Sequence, residues 1–513
     1  MATLSSARLM FRVSMASALL LMVCSGASAQ ITARGLIGPE TLAPYGLQMA
    51  WSTTIAVDRG SDRVVDVTQH VSLNNTQVIY EFSFDRQFYS FSERDRDAFG
   101  QILGPDGAKL AAEKKWNQIK AEYVYQGLPE PAAPQMEQRV VPEITLLATT
   151  QRGMVHSIDG NTGKTRWTTS VGKNRYPTTA AGGSDKFVAV VNGSTLHVLN
   201  ADSGSFAWSR PLAGSPGAGP AVSDTLIFAP RINGAVELYK VDDPKRPAAV
   251  YKAYGRTMVQ PVLSYNSVAW PSDEGHLYVG FANQQSVRFR IEAKQGIICK
   301  PFFTPTGKLL AASLDGYVYC IDEVRGEVLW RFTTGEPIDI SPVAIGDVVY
   351  VITREHTMYA INLNDASEKW VISGIGGFLS GTDERLYCTD VTGNTLVLEA
   401  HSGTALGSIS TSTMTLKMPN LQTDRIYLGQ NTGLLQCIRQ SNLKYPLVHY
   451  MTEPGKRPKI PGAAGPGGAG GVPPAAQPMP MVPAIDPFAD PGAAPAPAAP
   501  AAPAAPAPAD PFG

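Results

Sequence analysis

Glycines at a nearly constant spacing constrain this chain more than any other feature. Gly153, Gly193, Gly234, Gly275, Gly316, Gly393 and Gly433, with His356 in the sixth place, lie 40, 41, 41, 41, 40, 37 and 40 residues apart. Such a period marks stacked supersecondary units, none of which can bury its apolar face alone. Ahead of the turns stand the runs Ile144–Thr150, Phe187–Val191, Leu226–Pro230, Val268–Pro271, Leu309–Ser313, Val348–Thr353, Leu386–Thr389 and Ile426–Gly429. They are rich in Val, Ile, Leu, Phe and Tyr and too short for helices, so they read as strands. Strand-like segments such as Met154–Asp159, Leu196–Asn200 and Tyr317–Asp322 follow each turn, completing hairpins.

A short strand opens the unit beside Pro177, Pro220, Pro261, Pro301, Pro342 or Pro419, a place where proline is tolerated. The unit closes on Asp159 to Trp167, Asn200 to Trp208, Asp322 to Trp330 and Asn362 to Trp370. There Asp or Asn bonds the turn backbone, Gly163, Gly204 and Gly326 supply a positive φ, and Trp offers an apolar plate to pack between units. Four antiparallel strands every forty residues describe an all-β protein, an eight-bladed β-propeller. The expected organisation is a signal peptide at 1–29, an N-terminal segment at 30–139, propeller repeats at 140–453 and a disordered tail at 454–513. Within the N-terminal segment, Gly46–Glu81 is expected to supply the strand or strands that close the ring against the last unit. Ala112, Trp116, Ile119 and Tyr123 predict a short amphipathic helix, and Leu128–Pro134 an extended linker.

Composition narrows the function classes. With 43 Lys+Arg against 44 Asp+Glu, the chain lacks the basic excess that phosphate backbones require, so no nucleic-acid partner is expected. Arg8 and Arg12, the apolar stretch Met15–Val23 and the small residues up to Ala29 form an export signal, with cleavage expected after Ala29. No later segment approaches membrane-spanning length. The tail from Ile460 holds 16 of the 40 prolines and no Lys or Arg, and reads as a Pro/Ala spacer, including its two Asp-Pro-Phe pieces at 486–488 and 510–512. Cys299, Cys320, Cys388 and Cys437 sit in apolar runs as small hydrophobes, and no essential disulfide is expected.

The stretches Leu147–Trp167 and Leu310–Trp330 resemble the pyrroloquinoline-quinone-like propeller repeat, found in quinoprotein alcohol dehydrogenases and in BamB-type outer-membrane assembly propellers. The enzyme branch would imply a quinone held under a disulfide between adjacent cysteines, with Ca²⁺ and a catalytic Asp. This sequence has no adjacent Cys-Cys pair and no match to the calcium ligands. The BamB-type branch implies a noncatalytic platform that docks proteins through inter-blade loops. No catalytic, cofactor-binding or metal residue is therefore assigned, and the expected form is a monomeric ring in the periplasm or cell envelope that binds protein partners. A quinoprotein oxidoreductase and a glycan-binding propeller stand as the alternatives. His156 and His197 hold equivalent places in neighbouring units, where Tyr319 and Tyr359 stand elsewhere, so they read as packing residues with a polar tip, not as zinc ligands.

Overall fold

Eight antiparallel sheets account for nearly all the regular structure of the computed structural model, which describes residues 35–449 apart from 59 and 86. The expected signal segment and tail lie outside the described residues. Blades 2 to 7 are each a continuous four-stranded meander; blade 2, for example, runs Gly182–Gly183, Phe187–Asn192, Thr195–Asn200 and Phe206–Pro211 from the inside outward. The turns between the second and third strands carry the periodic glycines with positive φ, and His356 takes the same left-handed conformation at φ 66°. The inner strands of blades 3 to 6 begin directly after Pro220, Pro261, Pro301 and Pro342. In blade 8 the order differs, since Leu416–Met418 ends before Pro419.

Both ends of the repeat array build the closing blade. Leu416–Met418, Ile426–Gly429 and Leu434–Gln440 pair in turn, and Leu47–Thr54 completes the sheet as its outer strand, in antiparallel register on Leu434–Gln440. The expected closure by Gly46–Glu81 thus holds for its first part only. Val64–Phe84 instead pairs with Glu137–Thr150 and forms the innermost strand of blade 1. Pairing Leu47–Thr54 with Leu434–Gln440 across hundreds of residues completes the eighth four-stranded sheet, so every blade keeps only short edges.

Five of the eight blade junctions dock through a tryptophan on the outer strand. The indole N–H of Trp167 donates to the carbonyl of Ala201 at 2.6 Å, Trp208 to Val241 at 3.0 Å, Trp330 to Leu363 at 2.9 Å and Trp370 to Ala400 at 3.0 Å. Trp51, on the closing strand, makes the same bond to Gly160 of blade 1 at 2.9 Å. Gly204 shows why this turn needs glycine twice over: its φ is 69°, and a Cβ would come within 2.5 Å of the Trp167 ring.

The first two strands of blade 1 run beyond the blade and carry an insertion. Val64–Phe84 and Glu137–Thr150 continue as a ribbon to which Gln87–Ser92 adds a third strand. The 22-residue helix Gly104–Tyr125 packs Ala108, Ala112, Trp116 and Ile119 against Tyr80 and Phe82, placing the predicted helix on the face its apolar spacing marked. Lys164 donates to the Ser90 carbonyl at 2.8 Å and Asp95 accepts from the Ser92 amide at 3.0 Å, which blunts the free edge. On the opposite face of the ribbon, Glu81 pairs with Arg139, and the guanidiniums of Arg139, Arg425 and Arg439 all donate to the carbonyl of Lys444. Glu81 and the three arginines are buried, so the insertion is locked to blade 8.

Candidate binding face

Antiparallel meanders give the ring two unlike ends. One end carries the first-to-second and third-to-fourth strand turns and therefore the insertion. The other carries the glycine turns and the loops that lead from one blade to the next. Backbone bonds tie the turns of blades 3 to 6 to the loop entering from the preceding blade: Ile232 to Ser215, Asp273 to Arg256, Leu314 to Gly296 and Arg354 to Pro337, at 2.9–3.1 Å. Side chains near the turns pin the loops entering blades 3 to 5 a second time and hold the loop entering blade 2 as well. Asn192 accepts from the Lys173 amide at 2.9 Å, Glu237 from Ala213 at 3.1 Å, Asp273 from Arg256 at 2.6 Å and Asp315 from Lys294 at 3.0 Å. Loops held this way are pre-organised, so a partner orders little when it docks.

Across blades 3 to 5 this loop face leaves large apolar side chains in solvent. Tyr254 is 66% exposed and Met258 51%, with Ile232 and Ile298 nearby in the loop order. Tyr254 is held in place: its amide donates to the Tyr278 hydroxyl at 2.8 Å, and its ring meets the His276 ring edge-on with centroids 5.3 Å apart. Arg256 and Asp273, joined at 2.6 Å, stand beside it as a polar rim. Exposed aromatic and thioether side chains with a charged rim are the composition of a protein-docking patch.

The hub is polar. Gln260 donates to the carbonyls of Ala181 and Pro220 at 3.2 and 2.9 Å, Thr68 donates to the same Ala181 carbonyl at 2.8 Å, and Lys300 donates to Gln260 at 3.0 Å. Burial pushes the Lys300 ammonium down, with Asp66 acting against the shift, and burial pushes the Asp66 carboxyl up, with Lys300 acting against it. These residues were not singled out from the sequence. The signal was present in the repeat, because Gln260, Lys300 and Ser341 each precede an inner-strand proline and so occupy one equivalent position.

His156 and His197 do the same work in adjacent blades. Nδ1 of His156 bonds Thr168 at 3.0 Å and Nδ1 of His197 bonds Ser209 at 2.8 Å, while burial lowers both pKa values. Among the described residues no group of three or more His, Cys, Asp or Glu is placed to hold a metal ion. The four cysteines are buried free thiols. Burial pushes Cys299, Cys388 and Cys437 up to about 12 and Cys320 up to about 11, so they are unreactive. No described helix is long and apolar enough to cross a membrane.

Solved structures similar to this chain include BamB from Moraxella catarrhalis, at 16% identity and TM-score 0.49, covering 58% of this chain and 92% of that one. The computationally designed Ika8 protein matches at 14% identity and TM-score 0.46, covering 57% and 92%. Among curated proteins, the outer membrane protein assembly factor BamB of Yersinia pestis is 22% identical over 326 residues, 59% of this chain and 73% of that protein. The family model for outer membrane protein assembly factor BamB matches residues 151–293 and again 266–407, together half of the chain. The repeat period, the ring and this match agree: the chain belongs to the family of outer membrane protein assembly factor BamB.

Proposed function

We propose that this protein is an exported, noncatalytic propeller that binds other proteins through its inter-blade loops and takes part in outer-membrane protein assembly. The observation that carries this reading is the apolar patch of Ile232, Tyr254, Met258 and Ile298 on loops pinned from two sides. Family membership and the printed role of the Yersinia relative support it. In this reading residues 1–29 direct export, residues 454–513 act as a spacer, and the ring works as a monomer in the cell envelope.

A photo-crosslinking residue in place of Met258 in the full chain tests this directly. The expected result is a discrete protein adduct in envelope extract that Tyr254→Ala weakens at least tenfold, while a crosslinker at exposed Leu406, on an outer strand of blade 7, gives none. Equal labelling at both positions, or no adduct at Met258, contradicts the reading.

A further inference from the structure

The geometry points to a second site on the loop face, a pocket between blades 1 and 2 that binds an acidic saccharide, meaning a sugar that carries a carboxylate or phosphate. An open cavity of about 490 Å³ lies there, lined by Ser61, Gln151, Arg152, Asn174, Arg175 and Tyr176. Its volume falls in the ~300–1,000 Å³ range of small-molecule sites. It draws on the loop closing blade 8 onto blade 1, the first glycine turn and the loop from blade 1 to blade 2. The pocket is therefore a product of the ring, and it is separate from the apolar patch on blades 3 to 5.

Its charge is only partly compensated. Arg152 and Arg175 line it, Asp58 and Asp62 lie on the neighbouring loop, and both carboxylates are engaged, with Arg152 acting on Asp58. Asp62 accepts from the Thr150 hydroxyl at 2.6 Å and from the amides of Arg63 and Arg152 at 2.8 and 3.0 Å. Asp58 accepts from the Ser61 hydroxyl and the Gly60 amide. Among the described residues no carboxylate stands within 4.0 Å of the guanidinium of Arg152 or Arg175. Guanidinium forks match carboxylate and phosphate geometry; among the described residues Arg175 has no acidic partner and Arg152 has only Asp58, whose carboxyl it helps to lower, so the pair selects a further anion.

The remaining walls favour a sugar as the carrier of that anion. Tyr176 lies over Gly193, where a Cβ would come within 3.2 Å of the ring, and Asn192 holds the Tyr176 carbonyl at 3.0 Å. The Arg175 guanidinium sits 5.0 Å from the ring centroid, with Nη2 3.1 Å from the hydroxyl. The ring is thus held between Gly193 and the Arg175 guanidinium and fixes that fork at the wall, while the Gln151 and Asn174 amides can each both donate to and accept from sugar hydroxyls.

Titration calorimetry on the full chain tests the pocket with four probes. N-acetylglucosaminyl-N-acetylmuramic acid carries a carboxylate, glucosamine 1-phosphate a phosphate, diacetylchitobiose no charge, and pentaglutamate carboxylates without sugar. At least one acidic sugar is expected to bind tenfold or more tighter than both diacetylchitobiose and pentaglutamate. Arg152→Gln and Arg175→Gln, both at exposed positions, should each weaken that binding at least tenfold with an unchanged circular dichroism spectrum. Arg175→Lys, which keeps the charge and loses the fork, should fall between wild type and Arg175→Gln. Pentaglutamate binding as tightly as the acidic sugars overturns the saccharide reading in favour of a protein segment. No saturable binding of either sugar, or binding unaffected by the Gln variants, overturns the site. The Met258 crosslink is independent of each of these results.

Discussion

The seam between blades 8 and 1 shares its docking contact with four of the joints elsewhere in the ring, yet it is secured differently. At the joints after blades 1, 2, 5 and 6 an outer-strand tryptophan reaches a carbonyl of the next blade, and Trp51 repeats that contact at the seam. The joints are also held by chain continuity. The seam depends on a strand from the start of the ring, Leu47–Thr54, and adds a buried ionic cluster in which Arg139 reaches Lys444 across 305 residues of sequence. A local contact thus recurs at four joints and the seam, whereas closing the circle required a second, non-repeating device. The insertion lies at this one place in the ring because two of its residues, Glu81 and Arg139, belong to that device.

The largest expected effect separates the two kinds of joint. Trp51→Ala should cost about 5 kcal/mol, the upper end for losing a buried aromatic. Trp330→Ala, at a joint also held by the chain, should cost no more than about 3 kcal/mol. Chemical denaturation gives both values, and hydrogen exchange should show Leu434–Gln440 opening only in the first variant. Equal costs and equal exchange would dissolve the distinction.

Next in size is Arg139→Ala, which leaves Glu81 buried without its cation and should cost about 3–4 kcal/mol. Glu81→Gln combined with Arg139→Gln should recover part of this, measured as a double-mutant cycle.

Acid should loosen the seam over a defined window. Burial pushes His449, bonded to Gln422 of blade 8 through its amide at 2.8 Å, from the ordinary value of 6.5 down to about 4. Between those values the unfolded chain binds a proton that the folded chain refuses, so stability falls as pH drops from 6.5 to 4 and levels off below. The loss is on the order of 3 kcal/mol at most. Asp424, raised by burial, takes up its proton first in the folded state and offsets part of it. A thermal melting series should show the slope, and His449→Gln should flatten it.

The smallest effect tests the repeat itself. Gly153→Ala places a Cβ 2.3 Å from the Val171 carbonyl in a left-handed turn and should cost about 1–2 kcal/mol, or more if the carbonyl cannot shift. His356→Gly, at the equivalent turn, should change stability by less than about 0.5 kcal/mol, because relief of φ strain and the added freedom of the unfolded chain oppose each other.

What the sequence made legible follows the same division. The glycine period marked every turn, including the one where His356 stands, because positive φ is a local demand. The tryptophans announced inter-blade packing for the same reason. Trp51 was harder to place, since the last unit ends without a tryptophan after Gln440 and its fourth strand comes from residue 47. Val64–Phe84 was obscured by the irregularity between Val71 and Thr76, which breaks its alternation halfway along. The pocket at Arg152 and Arg175 and the hub pair Asp66 and Lys300 are assembled by closure from loops that show nothing unusual singly.

A single engineered crosslink tests ring closure most directly. Thr54 and Leu434 face each other in register, and the bond from the Ile55 amide to the Gly433 carbonyl at 3.0 Å makes theirs a non-hydrogen-bonded pair, whose close Cβ atoms suit a disulfide. Thr54→Cys with Leu434→Cys should form an intramolecular disulfide under mild oxidation, seen as a faster-migrating monomer on a nonreducing gel, while the four native thiols stay reduced. Two free engineered thiols, or crosslinked dimers in place of the monomer, would show that the first strand does not close the last blade.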